Sequence, residues 1–169
     1  MDLITLDDWN NNPNIKEFGE PFTNHLFICN LNYVKILCDE CEYHRQVIYI
    51  SAILLNLLFV KKSYLEYDRF IIGTAAVNLA CKILNYPKKN PKIIDSYLRI
   101  MNKYNIFTVE LNENIMQNEE KLKKTIMVNE EKIVRLINGN FNLGKTPFYY
   151  LHKYWDILCE SILIQKTKK

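Results

Sequence analysis

The sequence predicts an all-α fold, and three observations carry that expectation. Glycine and proline are scarce, 4 and 5 among 169 residues, while Leu, Ile, Lys and Glu, which favour helix over turn-rich architectures, are plentiful. Apolar residues recur at intervals of three and four rather than alternating. Hydrophobic residues make up 49% of the chain, enough for one domain of this length to bury a core without disulfide or metal staples.

Residues 1–22, with DDWNNNPN and then Gly19 and Pro21, read as a short capped turn and an extended lead-in. A first helix is expected from Thr23 to Cys41, where apolar residues stand at 27, 28, 31, 34, 37 and 38. A second runs from Glu42 or His44 to Val60. Its apolar run, Val47 to Val60, is too short for the roughly 20 residues that span a bilayer, so it reads as a central helix buried on most sides. Asp68 is the expected N-cap of a third helix with apolar residues at 72, 76, 79, 80 and 83, ended by Pro87. Asn90 and Pro91 form a cap and first-position pair for a fourth, with Ile93, Ile94, Tyr97, Leu98 and Met101 facing inward. An Asn- and Glu-rich connection over 105–118 leads to a fifth, whose stripe is Leu122, Ile126, Ile133 and Ile137 and which stops near Gly139. Thr146 and Pro147 open a sixth helix bearing Phe148, Leu151, Tyr154, Trp155, Leu158 and Ile162.

Charge excludes little but is informative. With 22 basic and 19 acidic residues the net charge is +3, too small to build the field expected of a nucleic-acid-binding face. Only the tail, Lys166 to Lys169, is locally basic. The five cysteines (29, 38, 41, 81 and 159) are odd in number and sit mostly in apolar helical contexts, and the N-terminus does not read as a signal peptide. Reduced thiols in the cytoplasm or nucleus are the expectation.

Two motifs invite chemistry and fit their surroundings poorly. Gly139 to Thr146, GNFNLGKT, matches the phosphate-cradling pattern G-x-x-x-x-G-K-[ST]. That loop aims backbone N–H groups at phosphate between a strand and a helix, whereas the preceding segment has helical period and only 23 residues follow Thr146. The plainer reading puts Gly139 at the helix C′ position and Thr146 at the next cap. Cys38, Cys41 and His44 could offer three metal ligands on one helical face, but a closed zinc site takes four and no further CxxC or HxxxH stands nearby. None of the histidines (25, 44 and 152) accompanies an evident Ser or Cys nucleophile.

Two charges on apolar faces are more pointed. At 100° per residue, Lys82 lies on the shoulder of the third helix's apolar stripe beside Ala75, Leu79 and Tyr86, and Glu130 falls between Ile126 and Ile133. An inward charge is costly unless it is paired or hydrogen-bonded. Two arrangements satisfy that rule: an internal Lys82–Glu130 ion pair or a snorkelling lysine, or a groove edge where a partner's backbone completes both residues.

Several ordered segments resemble the cyclins, in particular the first cyclin box of the transcriptional group that includes cyclins T, K and L. LDDWNNNPNIKEFG (6–19) is similar to that family's lead-in of a short helix and a Pro-containing turn. AILLNLLFVKKSYLEY (52–67) resembles its central helix and exit, and NLACKILNYPKK (78–89) its LA-x-K signature followed by P-K-K. EEKIVRLINGNFNL (130–143) resembles its E-x-x-I-L helix with a Phe-containing turn, and TPFYYLHKY (146–154) the entry to a second repeat. The resemblance implies a five-helix cyclin box over 23–145 around a central buried helix, a lead-in over 1–22, and an additional C-terminal helix with a basic tail over 146–169. It implies a regulatory subunit of a cyclin-dependent kinase, with no active site, cofactor or metal of its own, acting in the nucleus and in transcription, without direct nucleic-acid or membrane contact. Lys82 and Glu130 are then the grips on the backbone at the start of the kinase's regulatory helix, with Leu79, Ile83 and Ile126 receiving its side chains. Glu131 is the alternative carboxylate, because Asn138 to Asn140 are extra before Phe141. The family's early basic residue has no counterpart in TNHLFICN, and the chain ends after what would be the first helix of a second repeat. An alternative from another class is a cyclin-fold binding module of the general transcription factor IIB type, which contacts DNA without a kinase.

Overall fold

The computed structural model describes residues 5–86, 91–104 and 119–139, and in them all regular structure is helical. In chain order the helices are α1 (Leu6–Asn10), α2 (Pro13–Phe18), α3 (Glu20–Glu40), α4 (Arg45–Lys61), a 3-10 turn (Tyr64–Glu66), α5 (Arg69–Ile83), α6 (Pro91–Lys103) and α7 (Glu119–Leu136). The predicted first to fifth helices correspond to α3 to α7. The Asn90 cap, the connection over 105–118, and the sixth helix with Thr146, Pro147 and the basic tail lie outside the described residues.

The beginning of the chain departs from expectation. Residues 5–22 are helical rather than extended, because each turn has its own cap. Thr5 and Asp8 form a reciprocal capping box that starts α1, Asn12 caps α2 ahead of Pro13, and Gly19, at φ 77°, reverses the chain into α3. Pro21 sits in the first turn of α3, where the missing N–H has no helical partner to lose. The boundary expected at residues 22 and 23 therefore falls inside a continuous helix.

Ile28 also departs from its expected place. It is 55% exposed, because the buried arc of α3 is centred on Asn30, Tyr33, Val34 and Leu37, and Ile28 stands about 160° from Asn30 at 3.6 residues per turn. The stripes of α6 and α7 bury largely as their periods predict: Ile93, Ile94, Tyr97 and Met101 on α6, where Leu98 is half-buried, and Leu122, Ile126 and Ile133 on α7, with Ile137 just past its end.

Two helices, α4 and α5, share the centre of the bundle, and α4 packs on α1, α2, α3, α5 and α7. Nine of seventeen residues of α4 are buried, against ten of fifteen in α5, and α5 packs on α3, α4, α6 and α7. Its run Gly73–Thr74–Ala75–Ala76 explains this, since a thin helix lets its neighbours approach closely. Tyr33 of α3 lies directly over Gly73, where an added Cβ would stand 2.9 Å from the ring. The Tyr33 hydroxyl meets Thr74 Oγ1 at 2.7 Å, and Thr74 Oγ1 in turn donates to the Phe70 carbonyl at 2.8 Å. Thr74 has one proton to give, so Tyr33 is the donor to it. Asp68 caps α5 as expected, accepting from the N–H groups of Phe70 and Ile71 at 2.8 and 3.0 Å.

Three helices end alike. Glu42, Asn85 and Asn138 each adopt positive φ (57°, 49° and 50°). Each donates its N–H to the carbonyl three residues earlier, and the residue after it reaches back five, Tyr43 to Cys38, Tyr86 to Cys81 and Gly139 to Val134. These are Schellman ends. Asn138, not Gly139, thus holds the C′ position of α7, and Gly139 (φ 66°) follows it.

A buried amide fixes the N-terminal segment to this frame. Asn14 is fully buried, donates to the carbonyls of Phe59 (2.5 Å) and Lys62 (2.8 Å) and accepts from the N–H of Tyr64 (2.7 Å). It thereby satisfies backbone groups left open where α4 ends. Asn14→Ala is expected to lower unfolding free energy by about 3 kcal/mol, because three bonds are lost and their buried partners left unmade. Urea denaturation showing a loss below about 1 kcal/mol would contradict this. Gly73→Ala is expected to destabilise by about 1 kcal/mol, because pushing the anchored Tyr33 ring outweighs alanine's helical advantage. A gain in thermal stability would show that the ring can give way.

Candidate functional site

The two charged residues that the sequence singles out meet. Lys82 stands on the last turn of α5, where its charge also complements the helix C-terminus. Its Nζ forms an ion pair with Oε2 of Glu130 on α7. Asn78, one turn before Lys82 on the same face, donates its Nδ2 to the other carboxylate oxygen, Oε1. Glu131 points away, exposed and paired with Arg135 at 3.5 Å within α7, so Glu130 is the carboxylate that faces α5.

The pair is lopsided in exposure. The Glu130 side chain is 7% exposed, the Lys82 side chain 45%. Beside them lies a groove of about 280 Å³ between α5, α6 and α7, lined by Asn78, Lys82, Ile93, Ile94, Lys123, Ile126 and Met127. The floor is apolar and the rims are cationic. Met127 is 57% exposed, and Lys123 leans on Glu119 at 2.6 Å, an interaction that holds its ammonium above the ordinary lysine range. Of the two arrangements that the sequence allows, the ion pair is the one present, and it stands beside this groove.

Of the apolar neighbours expected around the pair, Ile126 lines the groove. Leu79 is buried in the core and Ile83 is half-buried against it. Ile93, Ile94 and Met127 belong to the groove and were not singled out from sequence. By sequence the first two belong to the inner face of their helix, and Met127 lies outside the α7 stripe. Asn78 was missed because a lone amide within an apolar run carries no periodic signal, although its spacing of four from Lys82 places the two on one face.

The remaining motifs find structural uses. His44 caps α4, its Nδ1 accepting from the N–H of Gln46 at 3.3 Å. Cys38, Cys41 and Cys81 are buried, and burial above all pushes the thiol pKa of Cys38 far upward and that of Cys81 up to about 11. Among the described residues no three His, Cys, Asp or Glu side chains gather as a metal site, and no helix is long and apolar enough to cross a membrane. Of GNFNLGKT, only Gly139 is among the described residues, and it follows a helix rather than a strand. No protein-family model matches the chain, and no curated protein matches it.

The lopsided burial gives the pair an asymmetric energetic signature. Lys82→Met leaves a buried carboxylate with Asn78 alone, an expected cost of about 2 kcal/mol, whereas Glu130→Gln releases a lysine that water can reach, about 1 kcal/mol. Their double variant should be less destabilised than the sum of the two. Chemical denaturation of all four proteins measures this, and additive or reversed costs would show that the two residues act independently.

Proposed function

We propose that this protein is a cyclin-like regulatory subunit that binds and activates a cyclin-dependent kinase. It acts in the nucleus, in transcription, through phosphorylation of the RNA polymerase II tail, and has no active site of its own. One observation carries the reading: Lys82 and Glu130, the residues that match the cyclin grips, lie 48 positions apart in sequence yet form one charged edge, beside an apolar groove. The thin, buried α5 bearing the LA-x-K segment, with helices packed around it, is compatible with a cyclin box.

The chemistry of the edge suits a peptide backbone. Lys82 has N–H donors beyond the one given to Glu130, and they can serve carbonyl groups of a docked segment. Met127, on a floor made by the buried isoleucines 93, 94 and 126, offers apolar surface to its side chains. Seating a kinase's regulatory helix there favours the state in which the kinase's internal Lys–Glu ion pair is formed, so the subunit activates by shifting a population and not by chemistry.

The test is binding of the purified protein to a panel of cyclin-dependent kinase catalytic subunits, with kinase activity on a polymerase-tail peptide as the second readout. The wild type is expected to bind and activate at least one of them. Lys82→Ala, folded by circular dichroism, is expected to bind at least about 10-fold more weakly, as for a lost charged hydrogen bond. Failure of the wild type to bind any member would overturn the proposal, and salt-sensitive binding to duplex DNA in its place would favour the transcription factor IIB type of module.

A further inference from the structure

We infer that Asn78 is a third gripping residue of this groove and that its side-chain oxygen accepts a backbone N–H of the docked partner; the inference rests on the kinase-binding reading above. The orientation of the Asn78 amide is forced. A carboxylate only accepts, so the NH₂ group must face Glu130 and the oxygen must face the other way. That oxygen, Oδ1, is buried and has no hydrogen-bond partner, and Asn78 lines the groove. An acceptor shut away from both protein and water is a standing cost, and a native structure has few of them.

Both Glu130 oxygens already accept, one from Lys82 and one from Asn78, whereas Asn78 Oδ1 has no bond to give up. Docking at Oδ1 requires side chains of the groove to shift, and Lys82, Lys123 and Met127 are the long, about half-exposed ones among them. The uncovered edge then presents ammonium donors and an amide acceptor side by side, which matches the alternating C=O and N–H of a peptide backbone at the start of a helix, where N–H groups lack internal partners.

The experiment measures affinity for the kinase that the wild type binds, at two or more salt concentrations, for Asn78→Leu, Asn78→Ala and Lys82→Ala. The expected result is binding weakened at least about 10-fold by Asn78→Leu, since the partner N–H is left unpaired, with the wild-type salt dependence retained because a neutral group was removed. Asn78→Ala provides the same comparison if the leucine variant does not fold. Wild-type-like affinity in the Asn78 variants overturns the inference and leaves the kinase reading standing. A flattened salt dependence like that of Lys82→Ala, or failure of both Asn78 variants to fold, also overturns it by showing that Asn78 only positions its neighbours. Absence of any kinase binding by the wild type removes the reading and the inference together.

Discussion

The close approach of Tyr33 to Gly73 is the contact on which the rest of the described structure depends. The ring of α3 occupies the space a side chain would fill on α5, and its hydroxyl is tied through Thr74 to the carbonyl of Phe70. Phe70 closes the arrangement edge-on against the same ring, 5.1 Å between centroids. Buried aromatic surface and a satisfied hydroxyl thus lock two helices at short range. Once α3 is seated so closely, α4, α6 and α7 can all reach α5 as well, and α5 becomes a shared wall. An ordinary amphipathic helix could not serve that purpose, because its polar face would be stranded inside.

The ends of α3 and α5 are built from matching parts. Each has a buried cysteine at the position whose carbonyl receives the returning N–H, Cys38 and Cys81, and a tyrosine that supplies this N–H, Tyr43 and Tyr86. The two tyrosine rings meet edge to face, 5.5 Å between centroids. In α5 this ending bears directly on the site. The Lys82 carbonyl accepts from the N–H of Asn85 and that of Cys81 from Tyr86, so the turn that carries the lysine is held at both levels and does not fray. The base of the Lys82 side chain is thereby fixed at one end and its ammonium by Glu130 at the other.

Much of this architecture was legible in sequence because burial in a helical bundle writes a period into the chain. The stripes of α6 and α7 follow from residues three and four apart, and the same spacing sets Lys82 and Glu130 on inward faces without deciding whether they meet each other or a partner. The misses share a different origin. Asn14, Asn30 and Asn78 are buried or half-buried polar residues, and an amide reads as surface until its partners are known. Ile28 is the reverse case, an apolar residue outside the buried arc, and a single apolar residue on the surface requires no compensation. The two N-terminal helices are too short to display a period, so only their caps could have revealed them. That α5 stands beside α4 at the centre turns on small residues, which hydrophobicity ranks below the leucines of α4 although they permit closer packing.

The site's polar design is best understood from what an apolar version would lack. Replacing a buried ion pair by well-packed hydrophobic side chains is often neutral or stabilising, so stability alone does not explain placing Glu130 among Ile126, Ile133 and the core. The asymmetry supplies a reason. Glu130 is enclosed and anchored by Asn78 from one side, which keeps a negative charge fixed at one point. Lys82 is held by that charge yet remains half exposed, so its remaining donors face a groove that is otherwise apolar. A lysine without the carboxylate would be free to extend into water, and its donors would have no defined position. The buried glutamate therefore acts on the groove through the lysine, converting a flexible surface cation into an oriented one at a modest cost in stability.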